Sequence, residues 1–254
     1  MVKKLFFGIE IDSLTMSETV QVVEERICGR VPTHLLGINA DKINELDRNE
    51  YYDNIVKSAE IINADGASVV LASKILNKPL PERVAGIDLM QSLLTLSNQK
   101  GYPVYFLGAK QEVVSTMVNK LKVQYEDLVI SGYRDGYFDK AEWETITDEL
   151  KSLAPAIVFI GITSPVKEYL IDYFMKKGVN SVFMGVGGSF DVLSGKIKRA
   201  PVWMQVMNIE WLFRVIQEPR RLFKRYFVGN TVFIFKVLKE KISYNKKSST
   251  NNTI

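Results

Sequence analysis

The chain is short of the residues on which many enzymes are built. Cys28 is the single cysteine in 254 residues, so no intramolecular disulfide can form and a reducing compartment is expected. It falls in the helical pattern Thr15 to Gly29 with no reactive neighbour in sequence, which favours a buried, inert thiol. His34 is the one histidine. That excludes multi-histidine metal sites and any Ser-His-Asp arrangement not passing through it, and its place at the head of an apolar strand favours a structural role. Long apolar runs are missing too. The N-terminal MVKKLFFGIEID is interrupted by Glu10 and Asp12, too early for a signal peptide. The late run Tyr226 to Leu238 contains Gly229, Asn230 and Lys236 and falls short of the ~20 residues that span a bilayer. No integral membrane segment is expected.

What is present is an ordinary globular composition, 46% apolar and 24% charged, with an uneven division of charge. Residues 196–254 hold thirteen Lys and Arg against three acids, a net of +10, and the other residues hold twenty basic and twenty-six acidic side chains, a net of −6. A basic tail on an acidic body points to an anionic membrane or a nucleic acid. Apolar runs of strand length recur at His34–Asn39, Ala59–Ala64, Pro103–Gly108, Leu128–Ser131, Ala156–Gly161 and Ser181–Val186, separated by amphipathic stretches. Strands without polar alternation, divided by helices, predict an α/β fold: a Rossmann-like, mostly parallel sheet flanked by helices. Ligands of such sheets bind past the carboxyl ends of the strands. The residues to inspect are therefore Asn39, Asp65, Ala109, Arg134, Thr163 and Gly187.

Asp65, in Asn63-Ala64-Asp65-Gly66, ends one strand and precedes a helix over 67–76, where it can cap that helix or serve as a general base. Arg83 offers a fork suited to phosphate, or an ion pair with Glu82 or another acid. Phe106-Leu107-Gly108-Ala109 makes a weak phosphate-facing turn. Residues 135–137 read as a turn, beside which Arg134 and Tyr137 can line a pocket. The glycines of Gly185-Val186-Gly187-Gly188, with Lys196, Lys198 and Arg199 close behind, expose backbone N–H groups for an anion.

Beyond Pro201 two successive helices are expected, 202–217 and 220 to about 242, divided at Pro219. Trp203, Met207, Trp211 and Val215 recur at spacings of four, a stripe that reads as core. Arg220, Arg221, Lys224 and Arg225 alternate with Leu222, Phe223, Tyr226 and Phe227, an interfacial signature that could equally grip nucleic acid. The division expected is a core over 1–195, a membrane-docking helical appendage over 196–243 and a disordered polar tail over 244–254.

Taken together, these blocks resemble the WecG/TagA/CpsF glycosyltransferases, glycosyltransferase family 26. The likeness runs from Phe7-Gly8-Ile9 to about Asn230. It is carried by Ala64-Asp65-Gly66, Arg83 to Asp88, Phe106 to Ala109, Gly185 to Gly188 with Asp191 and Gly195, Arg199-Ala200-Pro201, Ile209-Glu210-Trp211 and Glu218 to Arg221. The resemblance implies a GT-E type fold and an inverting enzyme, without metal or cofactor, at the cytoplasmic face of the membrane. Such an enzyme moves N-acetylmannosamine, or a related hexose or uronic acid, from a UDP-sugar to a polyprenyl-diphosphate-linked saccharide for teichoic acid or other surface polysaccharide. The absence of an Asp-x-Asp pair fits metal-free handling of the nucleotide.

The likeness also assigns roles: Asp65 as base; Asn39, Arg83, Lys167, Gly187, Gly188, Asp191 and Arg199 toward substrate; Arg214, Arg221 and Lys224 toward the membrane and the acceptor diphosphate. It allows a homo-oligomer and implies no nucleic acid partner. Two positions depart from the family pattern: Gly37 replaces the threonine of a Thr-x-Asn, and Lys167 stands where a neutral amide is usual, suited to a phosphate or a sugar carboxylate. Two other readings remain at this stage. One is a nucleotide-dependent oxidoreductase, against which no Gly-x-Gly-x-x-Gly follows the first strand. The other is a non-catalytic basic-tail module binding nucleic acid or a partner, which leaves Asp65 and Arg83 without a role.

Overall fold

A computed structural model describes residues 2–251, with the side chains of Arg221, Lys224, Arg225 and residues 244–251 outside the described set. A short antiparallel hairpin, β1 (Lys3–Phe6) and β2 (Ile9–Asp12), opens the chain. It turns at Phe7 and Gly8, with φ of 49° and 75°, the positive values that a tight hairpin requires. Helix α1 (Met16–Cys28) starts on a capping box: the Thr15 hydroxyl accepts from the Glu18 N–H, and the Glu18 carboxylate accepts from the Thr15 N–H.

Strand β3 (Thr33–Ile38), α2 (Ala40–Glu45), α3 (Glu50–Ser58), β4 (Ile61–Ala64), α4 (Ala67–Ile75) and α5 (Gly86–Lys100) form the first half of the body. Strand β5 (Val104–Gly108), α6 (Gln111–Gln124), β6 (Ile130–Arg134), a 3-10 turn at Lys140–Glu142, α7 (Trp143–Leu153), β7 (Ile157–Gly161), α8 (Val166–Lys176), β8 (Val182–Gly185) and α9 (Ser189–Leu193) form the second.

Six strands pair as one parallel sheet in the order β4-β3-β8-β7-β5-β6, the expected α/β architecture. Alternate residues serve opposite faces. Leu35, Ile61, Phe106, Phe159 and Met184 pack with Val23, Leu93 and Met117 from α1, α5 and α6. Their neighbours Leu36 and Ile62 pack with residues of α2 to α4, and Leu107, Ile160 and Phe183 with residues of α7 and α8. Both faces are covered, which is why the strands read as unbroken apolar runs.

From β5 the chain crosses to β6 on one side, and from β7 it crosses to β8 on the other, so the gap between β5 and β7 is a topological switch point. Backbone replaces side chain there. A Cβ on Gly108 would lie 2.5 Å from the Gly161 carbonyl carbon, and Gly108 has φ of 138°. Ala109 N–H donates to the Gly161 carbonyl at 3.1 Å, and Gly136 N–H to the Ala109 carbonyl at 2.8 Å.

The C-terminal part forms α10 (Val202–Val206), α11 (Glu210–Gln217) and α12 (Pro219–Asn251). The expected helix over 202–217 is thus two, broken at Asn208, whose φ of 59° a continuous helix cannot hold. Helix α12 continues past 242 and takes in residues 244–251 of the expected polar tail, a stretch with no glycine or proline to stop it; residues 252–254 lie outside the described set. Helix α12 sits on α2: Asn44 donates to the Gly229 carbonyl at 2.7 Å and Lys236 to the Ile43 carbonyl at 2.7 Å. Its Phe233 and Val237 are buried with the body's apolar residues.

Two expectations of burial are corrected. Trp203, Met207 and Trp211 are 59, 64 and 40% exposed, because α10 and α11 are short and turn the stripe outward instead of onto the sheet. Cys28 is exposed at the last residue of α1, where its sulfur lies 3.3 Å from the Tyr102 hydroxyl.

Candidate active site

Asp65 stands at the carboxyl end of β4, and the structure ties it down from three sides. Its N–H donates to the Ile38 carbonyl of the adjacent strand at 3.0 Å. Its own carbonyl accepts from Arg83 Nε at 2.8 Å, and its Oδ1 accepts from the Gly86 N–H at 2.9 Å. Asp65 therefore does not cap the helix that follows it. Gly66 occupies the cap position of α4 without a side-chain bond, and the Asp65 carboxylate lies instead at the start of α5, where unpaired N–H groups favour negative charge.

Two glycines leave room around that carboxylate. A Cβ on Gly37 would lie 3.0 Å from the Asp65 Cβ and 3.6 Å from Oδ2, and one on Gly86 would lie 3.8 Å from Oδ2. The place where a threonine is usual in the family is thus directly beside the candidate base. Asn39 is next to it. It caps α2 by accepting from the Lys42 N–H at 3.1 Å, and its Cβ lies 3.2 Å from where a side chain on Gly66 would begin.

Arg83 pairs with an acid, but with Glu210 of α11 at 3.5 Å; Glu82 instead accepts from the Met16 N–H. Glu210 also faces Arg199, whose Nε is 3.6 Å from Glu210 Oε1. Arg199 reaches α5 as well, bonding Asp88 and donating to Gln91 at 3.3 Å. The two arginines, far apart in sequence, thus meet beside the Asp65 loop with side chains that are each 23% exposed.

Lys167 lies at the sheet's carboxyl edge but inward. Its chain crosses Gly185, where a Cβ would meet Lys167 Cε at 2.6 Å, and its ammonium is 3.3 Å from Glu168 Oε1. Lys42 is also 3.3 Å from that oxygen and donates to the Gly37 carbonyl at 2.8 Å. Ser164 donates to the other Glu168 oxygen at 2.7 Å. All three charged residues are buried. Burial alone would push the Glu168 carboxyl up, but Lys42, Lys167 and the Ser164 bond outweigh it and bring it down to about 2.

Gly187, with φ of 52°, and Gly188 follow β8, and a Cβ on either would meet nothing within 4 Å, so their backbone borders open space. Asp191 on α9 pairs with Lys196 at 2.9 Å. Tyr137 N–H donates to the Asp135 carboxylate at 2.8 Å, closing the turn over 135–137, and Arg134 pairs with Glu142. Arg214 is half-buried on α11. Arg221 and Lys224 fall on α12, but their side chains lie outside the described residues.

Asp65, Arg83 and Arg199 thus form one connected set through Glu210, with Asn39 beside Gly66, while Gly187 and Gly188 follow β8 and Asp191 lies on α9. Sequence reading gave no role to Glu210, Lys42 or Glu168. Buried charged residues on elements otherwise read as amphipathic carry no local pattern that would single them out.

A parallel α/β sheet thus gathers a glycine-flanked carboxylate and converging arginines at its carboxyl edge, where ligands of such sheets bind. The model of the "Glycosyl transferase WecG/TagA/CpsF family" matches residues 4–247, and the chain belongs to that family of glycosyltransferases. Several relatives carry the name N-acetylglucosaminyldiphosphoundecaprenol N-acetyl-beta-D-mannosaminyltransferase. One from Bacillus spizizenii is 36% identical over 178 residues, covering 70% of this chain and 68% of its own. One from Bacillus subtilis is 35% identical over 199 residues, covering 78% and 75%. One from Staphylococcus aureus strain MW2 is 30% identical over 241 residues, covering 94% and 93%. The oxidoreductase and non-catalytic readings are not favoured.

Proposed function

We propose that the chain transfers N-acetylmannosamine, or a closely related sugar, from a UDP-sugar to N-acetylglucosamine carried on a polyprenyl diphosphate, with inversion at the anomeric carbon. The relatives' names supply the sugar and acceptor. The observation that carries the chemistry is Asp65: a carboxylate fixed through Oδ1 by a helix N–H, with two glycines leaving Oδ2 room. In this reading Asp65 takes the proton from the acceptor hydroxyl as that oxygen bonds to the anomeric carbon. The bond from that carbon to the UDP oxygen breaks, and the departing diphosphate gathers the negative charge. Arg83, Arg199 and the backbone after β8 offset that charge. Teichoic acid or a related surface polysaccharide is the product class.

A donor screen tests this. UDP release would be followed across UDP-sugars with a polyprenyl-diphosphate-GlcNAc analogue and a second analogue carrying glucose. Release with UDP-N-acetylmannosamine and the GlcNAc acceptor is expected to exceed every other pairing. Equal release without acceptor would remove the transfer reading.

We further propose that α10 to α12 bring the enzyme to its lipid acceptor at the cytoplasmic membrane face. Among the described residues no helix is long and apolar enough to cross a membrane. Yet Trp203, Val206, Ile216, Phe223 and Phe227 are all exposed on this segment, and interfacial attachment needs such a face together with basic residues. Deleting the segment would be a poor test, since Phe233 and Val237 are buried with the body's apolar residues. Instead the double variant Phe223→Ser/Phe227→Ser, at rings that stack 5.6 Å apart, is expected to lower binding to anionic vesicles about tenfold or more. Unchanged binding would overturn the docking role.

A further inference from the structure

Glu210 is the first residue of α11, yet it is only 5% exposed. A carboxylate is almost never buried so deeply unless it has charged partners. Its partners are Arg83 and Arg199, one on each oxygen, at 3.5 and 3.6 Å. Each arginine has a second, firmer attachment elsewhere: Arg83 to the Asp65 carbonyl, Arg199 to Asp88 and Gln91. Glu210 therefore links the C-terminal helices to the loop that holds the candidate base and to the first turns of α5.

The contact is also incomplete. Glu210 Oε1 and Arg199 Nε are both buried without a hydrogen-bond partner among the described residues. They face each other just beyond hydrogen-bond reach, and a slight inward movement of α11 would satisfy both. Each arginine side chain keeps 23% of its surface exposed. A buried carboxylate shared by two partly exposed guanidinium groups holds both beside one external anion, for which Arg199, whose nitrogens already face Glu210, Gln91 and Asp88, would exchange one of these contacts.

We propose that Glu210 is a positioning residue for the transfer reaction. It holds Arg83 and Arg199 in register for the donor diphosphate and, through Arg83, holds the Asp65 loop, so that the site is aligned only when α11 is docked. The proposal rests on the transferase reading above, because the diphosphate is the ligand that the two arginines are to share.

A double-mutant cycle on the full-length chain tests it, with Glu210→Gln, Arg83→Gln and the double variant assayed for transfer from UDP-N-acetylmannosamine to the GlcNAc analogue. Glu210→Gln is expected to raise KM for the donor and lower kcat, reducing kcat/KM about thirtyfold or more. Adding it to Arg83→Gln should cost at least threefold less than it costs in the wild-type background, because one of the two arginines it acts through, the one that reaches the Asp65 loop, is already gone. Glu210→Asp, which keeps the charge, should recover part of the loss and replaces Glu210→Gln in the cycle if that variant does not fold. A loss that multiplies fully in the double variant, or one confined to kcat through a smaller folded fraction, would overturn positioning in favour of a purely structural contact. Wild-type kinetics in Glu210→Gln would overturn it outright. A wild-type chain that neither binds UDP nor transfers sugar would instead remove the transferase reading, and this inference with it.

Discussion

Asp65→Asn is expected to lower kcat by about 10²- to 10⁴-fold, the usual contribution of a general base, while UDP binding and thermal stability stay near wild type. The geometry says why the loss should be confined to chemistry. The introduced amide retains an oxygen that can accept from the Gly86 N–H, as Oδ1 does now at 2.9 Å. The main-chain bonds from Asp65 N–H to Ile38 and from Arg83 to the Asp65 carbonyl are untouched by the substitution. Only the ability to accept a proton beside Gly37 is lost. Single-turnover transfer with a radiolabelled donor separates this step from binding. A variant that turns over within about threefold of wild type would show that another group takes the acceptor proton, and Asp65 would then be an anchor for the start of α5.

Glu168→Gln is expected to destabilise the chain by about 3–5 kcal/mol, because it leaves the ammonium groups of Lys42 and Lys167 buried without their shared counter-charge. The midpoint of urea unfolding at neutral pH reads this directly, and a change below about 1 kcal/mol would mean that the two lysines find other compensation. Acid should act on the same cluster. The Glu168 carboxyl is held down to about 2 in the folded chain but titrates near 4.5 when unfolded, so its contribution is present above 4.5 and lost as pH falls toward 2. Burial pushes the His34 imidazole down to about 3 against an ordinary 6.5, with Glu168 opposing the shift, so His34 stays neutral in the fold while the unfolded chain takes up its proton. Both groups make the unfolded state bind more protons, and stability must fall with pH. Between 6.5 and 4.5 the slope belongs chiefly to His34, at up to about 1.4 kcal/mol per pH unit. His34→Gln should flatten that window while leaving the lower one intact.

The sheet was legible because its strands are buried on both sides and so read as apolar runs, and each observed strand lies within a few residues of its expected bounds. The hairpin Lys3–Asp12 was not, since a short stretch with two lysines and interrupting acids gives no strand signal until Asp12 is seen to accept from the Ile62 N–H at the sheet edge. Asp65 and Arg199 could be singled out because one follows a strand and the other a glycine-rich turn, and Arg83 because it follows a proline-marked loop and carries a fork suited to phosphate. Their mutual arrangement was not legible. Glu210 lies far from Arg83 along the chain, and only the fold shows that it, and not Glu82, is the partner. The aromatic stripe of α10 and α11 misled for a related reason: helical spacing reveals that apolar residues share a face but not which way that face turns.

Helix α12 has a consequence of scale. At 33 residues it is about 50 Å long, and it is clamped to α2 by Asn44, Lys236, Phe233 and Val237. Helix α2 in turn is capped by Asn39, next to the Asp65 loop. In the proposed docking role, a surface that receives Phe223 and Phe227 would be joined to Asp65 by a stiff strut and not by a tether. Under the proposed roles, helix geometry would set the height of the Asp65 carboxylate above that surface, and with it how far from the surface an acceptor sugar must stand to be reached.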